Sequence, residues 1–361
     1  MGETTKIGWT DHTFNPWVGC SKISEGCKHC YAETMAKRAP SLVYGPQKGQ
    51  GGPRAHLPVW GDQAPRRVTS AENWRQPLRW DRAAAKAGVR RRVFCASLAD
   101  VFEDVAGSPV NDPNTMAEWR VRLWGLIRDT PHLDWLLLTK RPENVLSLVP
   151  DHWRPHEPGR GPVNGWPAHV WIGCTVENQA RAAERLPHLL RIPAPVRFVS
   201  YEPALERVEF GRWLPLRERA HGIEASAEGG TRGIDWIIVG GESGPGARPF
   251  ELAWARSVVA QGKAASVPVF VKQMGALRRM GEFSSFEEWV NKAQSWIGGT
   301  GAQCFDGKMR RCLIGADMQR ARDEGAFPVS YWLPKWQDRA GADPAEWPED
   351  LRVQQFPEAR P

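Results

Sequence analysis

Three cysteines form the densest cluster of chemistry in the chain: Cys20, Cys27 and Cys30 fall within eleven residues at the spacing C-x6-C-x2-C. Thiolates are soft ligands, and three without a nearby fourth suit a cubane iron–sulfur cluster whose last iron stays open to a substrate or cofactor. Gly19 and Gly26 free the loop to wrap closely. A helix starting at Ala32 would turn its positive N-terminal dipole toward such an anionic group. Zinc is the other reading, held by the same thiols plus a further ligand such as His12. His29 lies between two ligands in a tight turn and would not reach the same metal. Spacing alone leaves both metals open.

A second set of polar residues follows six short apolar runs. Ser97 and Asp100 come after the first, Lys140 and Arg141 after the second, and Thr175 and Glu177 after the third. Ser200 and Glu202, then Gly241, Glu242 and Ser243, then Lys272 and Gln273 complete the series. The turn Gly240-Gly241-Glu242-Ser243-Gly244 permits close backbone approach, but it matches neither the P-loop nor the dinucleotide fingerprint.

The elements that must position these groups are legible in the hydrophobic pattern. The runs at 93–97, 135–139, 170–174, 196–200, 236–240 and 267–271 are short, near-continuously apolar and β-branched, as in strands buried on both faces. Between them lie stretches of helical spacing: Met116, Trp119, Leu123, Trp124 and Ile127 share one face after Asn111-Asp112-Pro113-Asn114. Residues 180–190 and 251–265 read likewise, with Pro187 expected to bend or end the first. Alternating strands and helices joined right-handedly predict an α/β fold, a partial (β/α)6-type, TIM-like barrel with parallel strands. In such a barrel the polar residues at the C-terminal strand ends converge on one face. The barrel is expected over residues 1–275, with the metal-cluster loop at 14–33 and a Gly- and Pro-rich excursion at 40–70. Residues 276–361 read as an irregular C-terminal extension, with one helix near 286–296 and a Pro-rich, charged tail from Asp338.

Composition narrows the class. The 361 residues are 41% hydrophobic and 25% charged, which excludes a disordered, collagen-like or coiled-coil chain. Seven cysteines, three of them crowded, speak for metal binding or catalysis in a reducing compartment rather than for disulfides. Cys95 and Cys174 fall inside apolar runs and read as core, and Cys304 and Cys312 as structural thiols. No secretory leader and no run of ~18 apolar residues is visible, so a cytoplasmic protein without a membrane span is expected. A net charge of +7 agrees mildly with a nucleic-acid or nucleotide substrate. The densest cationic run, Arg90-Arg91-Arg92, reads as a solvated rim, with phosphate contact as its alternative. Trp135, Trp171 and Trp236, at strand starts, read as packing at the barrel rim.

Asn15-Pro16-Trp17-x-Gly19-Cys20 followed by Gly26-Cys27-x-x-Cys30-Tyr31-Ala32 resembles the cluster loop of the radical S-adenosylmethionine superfamily, in the branch that contains spore photoproduct lyase. More specifically, the chain resembles the phage and bacterial three-cysteine-motif family (DUF5131). That likeness extends through Gln76-Pro77-Leu78-Arg79-Trp80, Ser97-Leu98-Ala99-Asp100-Val101-Phe102-Glu103-Asp104, Leu138-Thr139-Lys140-Arg141-Pro142, Ser200-Tyr201-Glu202-Pro203, Gly240-Gly241-Glu242-Ser243-Gly244 and Lys272-Gln273-Met274-Gly275. It implies a 4Fe–4S cluster on Cys20, Cys27 and Cys30, with S-adenosylmethionine on the open iron. It further implies an external electron donor, a nucleobase or DNA-linked substrate, and room for a partner protein encoded beside it. The cofactor would lie among His29, Asp100, Thr175, Glu177, Ser200, Gly241, Glu242 and Ser243, with Lys140, Glu202 and Lys272 as catalytic groups. The loop departs from the superfamily's usual C-x3-C-x2-C by three residues in its first gap. The position before the last cysteine, commonly Tyr or Phe, is His29.

Overall fold

Seven parallel strands run side by side in chain order, and the sheet they form curls into a half-barrel. They are β1 (His12–Phe14), β2 (Arg91–Cys95), β3 (Leu133–Thr139), β4 (Val170–Thr175), β5 (Arg197–Tyr201), β6 (Trp236–Gly240) and β7 (Val269–Gln273). The structure is a computed structural model. It describes residues 5, 7–38, 59–155, 165–215, 232–244, 246–276 and 342–357, with short strands at 278–282, 304–305, 312–313 and 330–332. Most of the 40–70 excursion and the helix expected near 286–296 lie outside the described residues. Among the described residues no helix is long and apolar enough to cross a membrane.

Among the described residues five helices of eight residues or more accompany the strands: α1 (Tyr31–Arg38), α2 (Ala71–Ala87), α3 (Pro113–Arg128), α4 (Gln179–Leu190) and α5 (Leu252–Ala265), and a single helical turn at Val145–Leu148 follows β3. The start of α3 follows from chemistry visible in the sequence. Asp112 accepts the N–H groups of Asn114 and Thr115, and Pro113 fills the first turn, where no N–H is needed. Pro187 does not end α4, which continues to Leu190. The sequence reading lacked α2, whose interior Pro77 is a breaker signal. Ser70 caps that helix, Gly88 closes it in the left-handed region (φ 66°), and Trp74, Trp80 and Ala84 bury one face. It also lacked β1, which at three residues is too short for a period.

Alternation along each strand sorts the core into two layers. Val93, Cys95, Trp135, Leu137, Ile172, Cys174, Ile237 and Val239 pack outward beneath the helices. Phe94, Leu136, Trp171, Phe198, Trp236, Ile238 and Phe270 point inward and are joined by Trp9. Trp171 and Trp236 therefore fill the barrel interior rather than its rim, and Trp135 lies under the outer layer. Gly173 is required here, because a Cβ would meet the Phe198 ring at 2.4 Å.

The open edge of the sheet at β7 is covered by the C-terminal segment. Gln354 bridges Phe270 in antiparallel sense, and Val271 N–H donates to the Val353 carbonyl at 2.7 Å. Trp347 and Leu351 are buried beside it. Pairing an exposed edge in this way removes a site of strand addition. The backbone at Arg278–Glu282 also pairs with Ser330–Trp332, and Cys304–Phe305 with Cys312–Leu313.

Candidate functional site

The cysteine loop follows β1 and is fastened across the C-terminal ends of the parallel strands. Asn15 begins the attachment: its Oδ1 accepts the Leu98 N–H at 2.7 Å, just past β2. Gly19 N–H donates to the Leu98 carbonyl at 3.0 Å, and the Tyr31 hydroxyl to the Ser97 carbonyl at 2.8 Å. Two buried carboxylates then hold the middle of the loop. Glu103 accepts the Ser21 N–H at 2.8 Å and also the Ser21 hydroxyl. Glu177 accepts the Ser24 hydroxyl and lies so close that a Cβ on Gly26 would meet its Oε1 at 2.4 Å. Gly26 is thus dictated by the approach of a carboxylate.

Each carboxylate has its own guanidinium. Arg66 donates to both oxygens of Glu103 at 2.7 Å, and Arg185 donates to Glu177 at 2.8 Å; all four side chains are 2% exposed or less. Arg141 reaches Asp100 at 3.0 Å, the Ser21 carbonyl at 3.1 Å and the Cys20 Sγ at 3.6 Å. Arg248 binds the Glu25 carbonyl while pairing with Glu242 at 2.7 Å. Arg181 reaches Glu25 at 3.3 Å.

The two thiols nearest these charges are driven in opposite directions. Burial, reinforced by the Glu103 carboxylate, pushes the Cys20 thiol up to about 12 despite Arg141. Burial also opposes ionisation of Cys27, but the Lys140 ammonium and hydrogen bonds to the backbone at Ile23 and Ser24 outweigh it, and the net shift is downward. Cys30 packs beside Val18, Ala32, Val59 and Leu98. The donor chemistry, three thiols on one anchored loop with Arg141 and Lys140 nearby, fits an anionic, thiolate-held group. Among the described residues, however, no three His, Cys, Asp or Glu side chains converge on a metal position.

His12 does not join the cysteines. Its ring stacks on Trp80 of α2, centroids 4.3 Å apart with the ring planes nearly parallel, and among the described residues no metal-holding group includes it.

The expected strand-end residues separate into two groups. Lys140, Thr175, Ser200, Glu202 and Lys272 continue the inward-facing alternation above the aromatic layer. Thr175 and Ser200 are buried, and Lys272 donates to both Glu202 oxygens at 2.6 and 2.9 Å. Among the described residues no carboxylate lies within ion-pair distance of the Lys140 side-chain ammonium, while its backbone N–H donates to Asp100. Asp100, Glu177 and Glu242 lie past the strands and are engaged within the chain. Asp100 alone accepts from Thr139, Phe102, Lys140 and Arg141. Gly241 is tightly enclosed, since a Cβ would meet the Met274 carbonyl at 2.8 Å, and Ser243 is half-buried. His29 faces Gly246, 3.4 Å from where a Cβ would stand.

Glu103, Arg66, Ser21, Ser24, Arg185 and Arg248 escaped the sequence reading. The available signal was charge inside apolar surroundings, as in Val101-Phe102-Glu103 and Cys174-Thr175-Val176-Glu177. The arginine run 90–92 is consumed at the opposite end of the barrel: Arg90 pairs with Asp134, and Arg91 and Arg92 pair with Asp11.

Comparison with known families gives a match across residues 4–324, to the family described as "Protein of unknown function (DUF5131)". The chain belongs to this family. Neither a curated protein nor a solved structure matches it. The DUF5131 match spans all seven barrel strands together with the cysteine loop, so fold and loop form one family unit.

Proposed function

We propose that this DUF5131 protein is a radical S-adenosylmethionine-like iron–sulfur enzyme acting on a nucleobase or DNA-linked substrate. One observation carries the reading: three cysteines sit on a loop fastened over the C-terminal ends of a curled parallel sheet, the face where βα folds gather ligands. Cys20, Cys27 and Cys30 would hold a 4Fe–4S cluster, with S-adenosylmethionine on its open iron. Bound there and reduced by an external electron donor, these groups would supply one-electron reductive cleavage of S-adenosylmethionine and, through it, hydrogen abstraction from the substrate.

The chain's own part is positioning and exclusion of water. Glu103 and Glu177 fix the loop, and Arg141 and Lys140 offset negative charge at Cys20 and Cys27. The inward layer of Trp9, Trp171, Phe198, Trp236 and Phe270 closes the barrel beneath and keeps water from entering from that side. Above it, the Glu202–Lys272 pair offers a carboxylate and an ammonium to orient a polar substrate or hold a proton. The substrate class is the one the loop's resemblance to the photoproduct-lyase branch implies, and the net charge of +7 agrees with it.

A second reading is favoured by the commitment of Asp100, Glu177 and Glu242 to internal partners. In it, the loop holds zinc or an inert cluster to stabilise a nucleic-acid-binding or partner protein without turnover. Iron and sulfide analysis with EPR on anaerobically reconstituted protein, with and without S-adenosylmethionine, separates the two. About four irons per chain, with a signal altered by S-adenosylmethionine and lost in Cys27→Ala, is the result expected of the enzyme. Stoichiometric zinc and no reducible cluster would overturn it.

A further inference from the structure

We infer that Glu103 and Glu177 are positioning residues that set the shape of the cysteine loop before any metal arrives, acting through the hydroxyls of Ser21 and Ser24. The inference rests on the reading of Cys20, Cys27 and Cys30 as metal ligands, and it adds residues to that site.

The two attachments have the same construction. Each carboxylate is fully buried, belongs to a segment just past a strand end, and is neutralised by a dedicated buried arginine, Arg66 or Arg185. Each uses Oε1 to accept a serine hydroxyl from the loop. Ser21 directly follows Cys20, and Ser24 lies three residues before Cys27. The long first gap between the cysteines is therefore tied at its first residue and again at its fourth. Without these ties six intervening residues would sample many conformations, and a metal would have to order them as it bound. Gly26 belongs to the same device, because only a residue without Cβ lets Glu177 approach.

Stability alone does not account for this arrangement. Buried ion pairs are costly to desolvate, and apolar replacements of similar volume are often as stable. What the buried pairs supply is a fixed pair of acceptors aimed at the loop. Outer partners of metal-binding residues behave in this way, and their loss typically costs about 10–100-fold in metal affinity.

The serines are the informative sites for mutation, since removing a half-buried hydroxyl leaves both buried ion pairs intact. The full-length protein is stripped of metal and titrated anaerobically with cobalt(II), whose thiolate charge-transfer band reports cysteine coordination. Melting temperature is followed in parallel. The expected result is that S24A weakens cobalt(II) binding by about tenfold or more, and S21A, which keeps the Ser21 N–H bond to Glu103, by a smaller factor, while both melt within a few degrees of wild type. S24T, which keeps the hydroxyl, should restore affinity. Equal affinity in wild type and both alanine variants would overturn the inference, as would absence of thiolate-bound cobalt(II) in the wild type. Reconstitution with ferrous iron and sulfide tests the cluster reading separately: cobalt(II) dependence on the serines without cluster formation would sink the enzyme and leave the positioning role standing.

Discussion

The two ends of the half-barrel use charge in opposite ways. At the N-terminal end, Arg90, Arg91 and Arg92 pair with Asp134 and Asp11 in contact with water; Arg91 is 49% exposed and its partner 24%. At the C-terminal end the pairs Arg66–Glu103 and Arg185–Glu177 are almost wholly removed from solvent. Exposed pairs are screened and contribute little, whereas a buried charge is tolerated only while its partner is present. The first end is thus a solvated rim around an aromatic floor. The second is a rigid polar frame whose shape is dictated by mutual satisfaction, and the cysteine loop is one of its members.

The largest effect should come from breaking that frame. Replacing Arg185 by Met strands Glu177 as an unpaired buried carboxylate, and urea unfolding should show a loss of about 3–5 kcal/mol. Gly26→Ala tests the same frame more gently. The added Cβ must displace Glu177, so a cost of about 1–3 kcal/mol is expected from the shift in urea midpoint.

A pH titration compares the ends directly. His169 precedes β4 at the N-terminal end, and burial holds its imidazole below the ordinary histidine value despite a hydrogen bond to the Ile127 carbonyl. Its folded form therefore binds a proton less readily than the unfolded chain. Stability from this group is present above the ordinary histidine value and is lost as pH falls below it. Denaturant midpoints of wild type and His169→Gln should accordingly converge on acidification; parallel curves would refute the assignment. The smallest effect belongs to the rim: Arg91→Ala should change stability by no more than about 0.5 kcal/mol, and added salt should abolish the difference.

How far these regions could be read in advance depended on locality. The strand at Trp236–Gly240 and the helix at Pro113–Arg128 announced themselves, because an apolar run and an Asp112-Pro113 cap are decided by neighbours in sequence. Helix α2 was hidden by Pro77, and β1 by its length; both are stabilised by burial of Trp74, Trp80 and Phe14 against distant partners. The cysteines were evident from spacing. The strand-end carboxylates were visible as candidates for ligand binding, but Asp100, Glu177 and Glu242 each have a cation of this chain as partner.

Hydrophobic period, caps and the C-x6-C-x2-C spacing determined a βα chain with three cysteines crowded on one loop, since each depends on residues a few positions apart. Only the tertiary structure decided that the arginine run and the cysteines occupy opposite ends of the barrel. It alone decided that Trp171 and Trp236 point inward and that Glu103 and Glu177 hold Ser21 and Ser24. The Ser24–Glu177 contact spans 153 residues of sequence. Whether a buried carboxylate faces a cation, a serine or open space is a property of the packed sheet, which no local pattern encodes.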